Sequence, residues 1–222
     1  MIQSTPALNN LNDKNRRYSK AEQTLRNHFF GLAQQVGQWC DNNSLGRCAI
    51  GVTSGKSNVG VSTIALNLAI ATAGKRDENV LLLQADIGNP FMANMLKTAG
   101  KPGFAELLQE QAELADCVHE THYQRLAVMG SGKAVKGDQL ALPLERATEI
   151  LDRLRETYST VIVDLPRATP LTPCFSIARH LDGVVLVVEQ DGVEPGELER
   201  TRDLLLEAKA KIVGVVINKR YG

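Results

Sequence analysis

"SGKSNVGVSTIALNLAIA", Ser54 to Ala71, is the stretch on which the reading of this chain turns. A phosphate-binding loop has the form G-x-x-x-x-G-K-[ST] and leads into a helix. Gly55, Gly60 and Ser62 stand at its places, but the lysine place holds Val61. Glycines let such a loop curl so that successive backbone N–H groups point inward. The helix that follows adds its own free N–H groups and dipole. A hydroxyl at the helix start reaches a magnesium ion. Gly55, Lys56, Ser57, Asn58, Val59, Gly60, Val61, Ser62 and Thr63 are therefore the candidate phosphate-binding residues, with Ser62 on the metal. A deviant loop, K-G-G-x-G-K-[ST], carries an extra lysine four residues before its last glycine. Lys56 stands at that place without the two glycines that follow it in the pattern. It reads either as a replacement for the missing lysine or as an exposed loop lysine.

Outward from the loop, short apolar runs alternate with helical stretches. The strand candidates are 48–53, 80–86, 125–130, 160–165, 183–189 and 211–218. Helical patterns lie near 62–73, 144–157, 171–180 and 195–209. Most strands are continuous runs of Val, Ile and Leu, which is how parallel strands buried on both faces read. The expected fold is three-layer α/β, a mostly parallel sheet flanked by helices. Before it, Leu25, Phe29, Leu32, Val36 and Trp39 recur at helical spacing behind Ser19, a candidate N-cap. Residues 1–18 are polar and Asn-rich and read as a flexible arm, leaving 19–222 as one domain.

Two carboxylates end strands of this pattern, Asp86 after "VLLLQA" and Asp164 after "TVIV". In open α/β sheets ligands bind at the carboxyl ends of the strands, so both acids converge on the loop. Hard oxygen ligands there suit magnesium. Each Asp taken singly reads as a turn cap; with the glycine loop present, the pair reads as a site. Arg167, just past Asp164, is placed either to touch phosphate or to pair with a surface acid. His119 and His122 have no third ligand in view and read as surface residues.

Lys+Arg and Asp+Glu are equal at 25 each, which gives no reason to expect a nucleic-acid partner. The cysteines, Cys40, Cys48, Cys117 and Cys174, form no C-x-x-C pair and no zinc spacing; Cys48 and Cys174, in or near apolar runs, read as small buried side chains, and a reduced compartment fits. No apolar run reaches the roughly 20 residues that span a bilayer, and the N-terminal stretch lacks a secretory signal's apolar core.

Taken in order, these segments resemble the bacterial tyrosine kinases of capsular and exopolysaccharide synthesis, in the MinD/ParA-type branch of P-loop ATPases. The resemblance runs from about Ser19 to Asn218. "VTSGKSNVGVSTIALNLA" is similar to the family's Walker A loop, "VLLLQADIGNP" to its Walker A′ strand, and "YSTVIVDLPRATPLTPCFSIARHLDGVVLVVE" to its Walker B region. It implies Mg-ATP or Mg-ADP as cofactor, catalysis by Asp86, Asp164 and Lys56, and magnesium on Ser62, Asp86 and Asp164. Asn218 falls where a residue can contact the base, or is a turn asparagine. Tyr221 would be the phosphoacceptor. The family also implies a homo-oligomer. Its membrane partner is a polysaccharide chain-length determinant, whose cytoplasmic tail would hold the chain at the inner face of the membrane.

The departures cluster at the chemistry. Besides Val61, the family's D-x-D-x-R becomes Gln84, Asp86 and Gly88, and its N-terminal E-x-x-R-x-x-R becomes Lys20, Gln23 and Arg26. Phosphoryl transfer is mostly positioning and charge neutralisation, so these losses predict a degenerate, accessory or regulatory member. The alternatives are an active kinase or ATPase rescued by Lys56, and an interaction module that binds no nucleotide. A partitioning or cell-division ATPase fits less well, since those proteins depend on both lysines.

Overall fold

The computed structural model describes residues 19–75, 79–87, 89–133, 143–190 and 196–218. The arm before residue 19, Gly88 and Tyr221 lie outside them.

Helix α1 (Lys20–Asn42) opens on the expected cap. The Glu22 N–H donates to Ser19 Oγ at 3.2 Å, and the Glu22 carboxylate accepts from the Ser19 N–H at 2.8 Å. This reciprocal box satisfies two N–H groups that a helix start would otherwise leave unpaired. The apolar stripe buries Phe29, Ala33, Val36 and Cys40, while Leu25, Leu32 and Trp39 are half-buried beside it. Lys20 and Gln23 are exposed, and Arg26 lies 5.9 Å over the Phe30 ring.

Seven strands form one sheet: β1 (Cys48–Thr53), β2 (Val80–Gln84), β3 (Val118–Glu120), β4 (Leu126–Met129), β5 (Thr160–Asp164), β6 (Gly183–Glu189) and β7 (Ile212–Asn218). Their order is β3-β4-β2-β5-β1-β6-β7. All neighbours run parallel except β3, which pairs antiparallel with β4 at one edge. The continuous apolar runs are explained by two cores. Ile50, Val52, Leu82, Ile162, Val185 and Val187 face α1 and α2 (Val61–Lys75). Ala49, Leu81, Leu83, Val161, Val163 and Leu186 face the other layer. That layer includes α4 (Phe104–Leu108), α6 (Ala147–Thr157), α7 (Cys174–Ala178) and α8 (Glu197–Glu207). Helix α2 has almost no polar face: every residue from Ile64 to Ala73 is buried, between the sheet on one side and α1 on the other.

Three short helices, α3 (Pro90–Met95), α4 and α5 (Leu114–Cys117), and the three-residue β3 were not anticipated. The stretch 144–157 divides into a 3-10 turn (Leu144–Arg146) and α6. The helical pattern near 171–180 contracts to α7. His119, in β3, is half-buried, while His122, just past that strand, is exposed as read. The cysteine reading needs one correction. Cys40, at the end of α1, and Cys48, at the start of β1, are joined as a disulfide; the connection between the two elements is so short that their buried sulfurs meet. Cys174 is a buried thiol, as read, and Cys117 is another; burial pushes the pKa of Cys117 up to about 11 and that of Cys174 up to about 12.

Candidate functional site

The loop leaves β1 at Thr53 and enters α2 at Val61. Gly60 takes φ +95°, in the left-handed region, and a Cβ there would lie 2.4 Å from Asn218 Nδ2. Only glycine fits both constraints. Asn58 is also left-handed, at φ 61°, which asparagine tolerates better than most residues. Asn218, at the end of β7, donates its amide to the Val59 carbonyl at 2.7 Å. It therefore braces the loop from the far edge of the sheet. Val59 is buried, and the Ser54 hydroxyl donates to the Lys56 carbonyl at 2.6 Å.

The carboxylates meet beside this loop because β5 lies between β1 and β2. Gln84 and Asp164 are register partners across β2 and β5, on the face of the sheet that carries α2. Asp164 is fully buried, and neither carboxylate oxygen has a hydrogen-bond partner among the described residues. Burial raises its pKa to about 7; the nearby Ser62 hydroxyl works against that rise and the Asp86 charge adds to it. Asp86 lies two residues beyond β2 and accepts from Asn89 Nδ2 at 3.0 Å. Burial raises its pKa as well, while Asn89 and the Arg167 guanidinium pull it down. Ser62, Asp86 and Asp164 thus stand around one crevice at the carboxyl end of the sheet.

The cations do not join them. Val61, at the lysine place, is half-buried and packs against the apolar cluster of α1 and α2. Lys56 points to the other side of the loop, where its ammonium lies 2.9 Å from Glu197 Oε2 at the start of α8. Gly55 is pressed against the same helix, since a Cβ there would come within 2.4 Å of Thr201 Oγ1. A pocket lies on this side, lined by Gly55, Lys56, Val59, Glu189, Glu197 and Thr201, away from the carboxylates. Glu197 is the partner that sequence reasoning missed. It stands at the start of α8, far from Lys56 in sequence, and no local pattern connects the two. Gln84, in place of the first family acid, is fully buried and donates Nε2 to the Asn89 carbonyl at 2.5 Å, with Oε1 unpartnered. Among the described residues no cluster of three or more His, Cys, Asp or Glu has metal-binding geometry.

The fold and loop define a class before any comparison: a parallel α/β sheet whose first strand delivers a glycine loop to a buried helix. The family described as ParA, NUBPL iron-transfer P-loop NTPase, matches residues 47–221. The chain belongs to this ParA-type family of P-loop NTPases. The tyrosine-protein kinase CpsD of Streptococcus agalactiae is 26% identical over 171 residues, covering 77% of this chain and 74% of its own length. The putative tyrosine-protein kinase CapB of Staphylococcus aureus is 23% identical over 202 residues, covering 91% and 87%. Among solved structures, the chimerical protein CapA2B2 superposes with a TM-score of 0.76 at 25% identity, over 87% of this chain and 84% of that one. The cell division ATPase MinD of Pyrococcus furiosus shares the fold, with a TM-score of 0.67 at 23% identity, over 80% and 73%. The succinoglycan biosynthesis transport protein ExoP of Rhizobium meliloti is 31% identical over 180 residues, covering 77% of this chain and 22% of its own length. No helix among the described residues is long and apolar enough to cross a membrane.

Proposed function

We propose that this chain is a degenerate P-loop kinase that holds a magnesium nucleotide without efficient turnover. It acts as an accessory or regulator in capsule or exopolysaccharide synthesis or export. The observation that carries this reading is the fate of the two lysine places: Val61 is packed into an apolar cluster, and Lys56 is paired with Glu197. The phosphate side of the loop keeps its backbone donors and helix N-terminus, and among the described residues neither lysine place aims an ammonium at it. Backbone N–H groups at a helix start bind phosphate without one.

Magnesium fits the acids that are present. A fully buried carboxylate with both oxygens unpartnered is costly unless a cation or proton accompanies it, and Asp164 lies beside the Ser62 hydroxyl at the loop's helix. Ser62, Asp86 and Asp164 would hold the ion, directly or through water, and the amides from Gly55 to Thr63 would hold the phosphates. When bound, the ion neutralises phosphate charge and orients the chain of phosphates. The protein's own residues supply the cradle and the carboxylates, but Gln84 cannot accept a proton where the family has an acid. Relatives that are kinases of polysaccharide export support a partner at the membrane. The reading places this chain in the cytoplasm, docked on the tail of a chain-length-determining membrane protein.

The test is thermal unfolding with excess Mg-ATP or Mg-ADP. A ligand at 100 times its dissociation constant stabilises the folded state by about 2.7 kcal/mol, which raises the melting temperature by several degrees. We expect a rise with both nucleotides that Ser62→Ala reduces, together with negligible hydrolysis. Absence of any shift at millimolar nucleotide sinks the reading and leaves a scaffold that binds only proteins. Lys56→Ala separates the second reading from the first: it should leave nucleotide binding within about twofold, since the ammonium faces Glu197. Loss of measurable turnover in Lys56→Ala would instead make Lys56 the rescuing lysine of an active enzyme.

A further inference from the structure

We propose that Arg167 binds the terminal phosphate of a nucleoside triphosphate in this crevice and makes the site prefer triphosphate over diphosphate. The proposal rests on the nucleotide reading above and adds a specific residue to it.

The segment after β5 is stitched to β1 and to the start of the phosphate loop. The Leu165 N–H donates to the Val52 carbonyl at 3.0 Å, Thr53 Oγ1 donates to the Pro166 carbonyl at 2.7 Å, and the Ala168 N–H donates to the Ser54 carbonyl at 2.9 Å. Beyond it, the Thr169 N–H and the Thr172 hydroxyl both donate to the Arg167 carbonyl. The backbone of Arg167 is thus fixed on both sides, relative to the same loop that would hold the phosphates. From Thr160 to Ala168 every side chain is buried except that of Arg167, which is exposed. An arginine carried out of the core at this point emerges at the carboxyl end of the sheet, where ligands bind in open α/β folds. Its charge is felt at Asp86, across the crevice on the β2 side.

Charge balance then assigns the role. The crevice contains Asp86 and Asp164, and magnesium offsets only part of the charge that a triphosphate adds. The lysine place is apolar and Lys56 is paired elsewhere. Among the described residues, Arg167 is a cation held by its backbone where its charge reaches Asp86. The loop amides and α2 enclose the phosphates nearer β1. A chain of phosphates extending from them toward β5 and β2 brings its last member to Arg167. A guanidinium binds a terminal phosphate through two parallel N–H donors, which a diphosphate in the same pose would not reach.

The experiment is titration calorimetry of Mg-ATP and Mg-ADP into the full chain, its Arg167→Ala and Arg167→Lys variants. Melting temperatures without ligand check the fold. The side chain is exposed, so the variants should melt within a few degrees of the parent. We expect the parent to prefer Mg-ATP by about tenfold, the size of one charge-assisted hydrogen bond. Arg167→Ala should lose that preference while keeping Mg-ADP affinity within about twofold, and Arg167→Lys should retain part of it. If Arg167→Ala keeps the parent's preference, Arg167 does not touch the terminal phosphate. An equal loss for both nucleotides also overturns the proposal, since Arg167 would then act through Asp86 and the metal. A parent that prefers neither nucleotide, yet binds both, overturns the proposal alone. Should the parent bind neither, the proposal falls together with the nucleotide reading.

Discussion

Val61→Lys should tighten Mg-ATP binding by about thirtyfold without restoring turnover. Val61 is half-buried at the start of α2, so a lysine there can lay its stem along the apolar cluster and carry its ammonium to the phosphates. At about 4 Å and an effective dielectric of about 20, one such charge pair is worth roughly 4 kcal/mol. Desolvation and the lost valine packing offset part of this, and half of it already corresponds to about thirtyfold. Turnover should stay negligible because Gln84, buried and tied to the Asn89 carbonyl, still replaces an acid. Calorimetry and a hydrolysis assay measure the two halves separately. Unchanged affinity would mean that the phosphates do not sit on this loop. A gain of turnover in the single variant would mean that only the lysine was missing.

The second large effect concerns Asp164. Its folded pKa is raised to about 7, while an unfolded aspartate ionises near its ordinary value of 3.8. Between those pH values the folded chain keeps a proton that the unfolded chain releases. The contribution of this group to stability is therefore full below about pH 4 and is lost as pH rises to about 7. Asp164→Asn removes that loss. Without ligand, the variant should become increasingly more stable than the parent from pH 4 to pH 8, by up to about 4 kcal/mol at the upper end. In the presence of Mg-nucleotide the order should reverse in part, because the carboxylate is the form that a cation favours. Denaturant unfolding across that pH range gives the answer. A constant difference between variant and parent at every pH would show that Asp164 is ionised in the free protein.

Much of this arrangement was legible in the residues themselves. The boundaries of β1 and β6, the Ser19 cap and the convergence of Asp86 and Asp164 all follow from patterns within a few residues of each other, or from the rule that parallel strands end on one side. The elements that escaped are short. Segments such as Leu114–Cys117 and Val118–Glu120 are too brief for a helical or strand period to develop, and β3 adds an antiparallel edge that only its neighbour explains. The Lys56–Glu197 pair and the Asn218–Val59 bond connect residues far apart along the chain, so one sequence carries no trace of them. The Cys40–Cys48 bond was missed for a different reason: the two residues are near in sequence, but only the sharp return from α1 into β1 makes their sulfurs meet.

Helix α2 has a mechanical consequence for the site. With Ile64 to Ala73 enclosed by the sheet and by α1, this helix can neither tilt nor slide without opening both interfaces. The loop it carries is in effect bolted down, as is the segment after β5 that is hydrogen-bonded to it, so any closing motion around a ligand must be made by the segment after β2. In hydrogen exchange the central amides of α2 should therefore open only with the whole molecule, and the amides of Ile87 and Asn89 should open long before them. The loop and Arg167 would be the anvil, and the wall that carries Asp86 would be the part free to move.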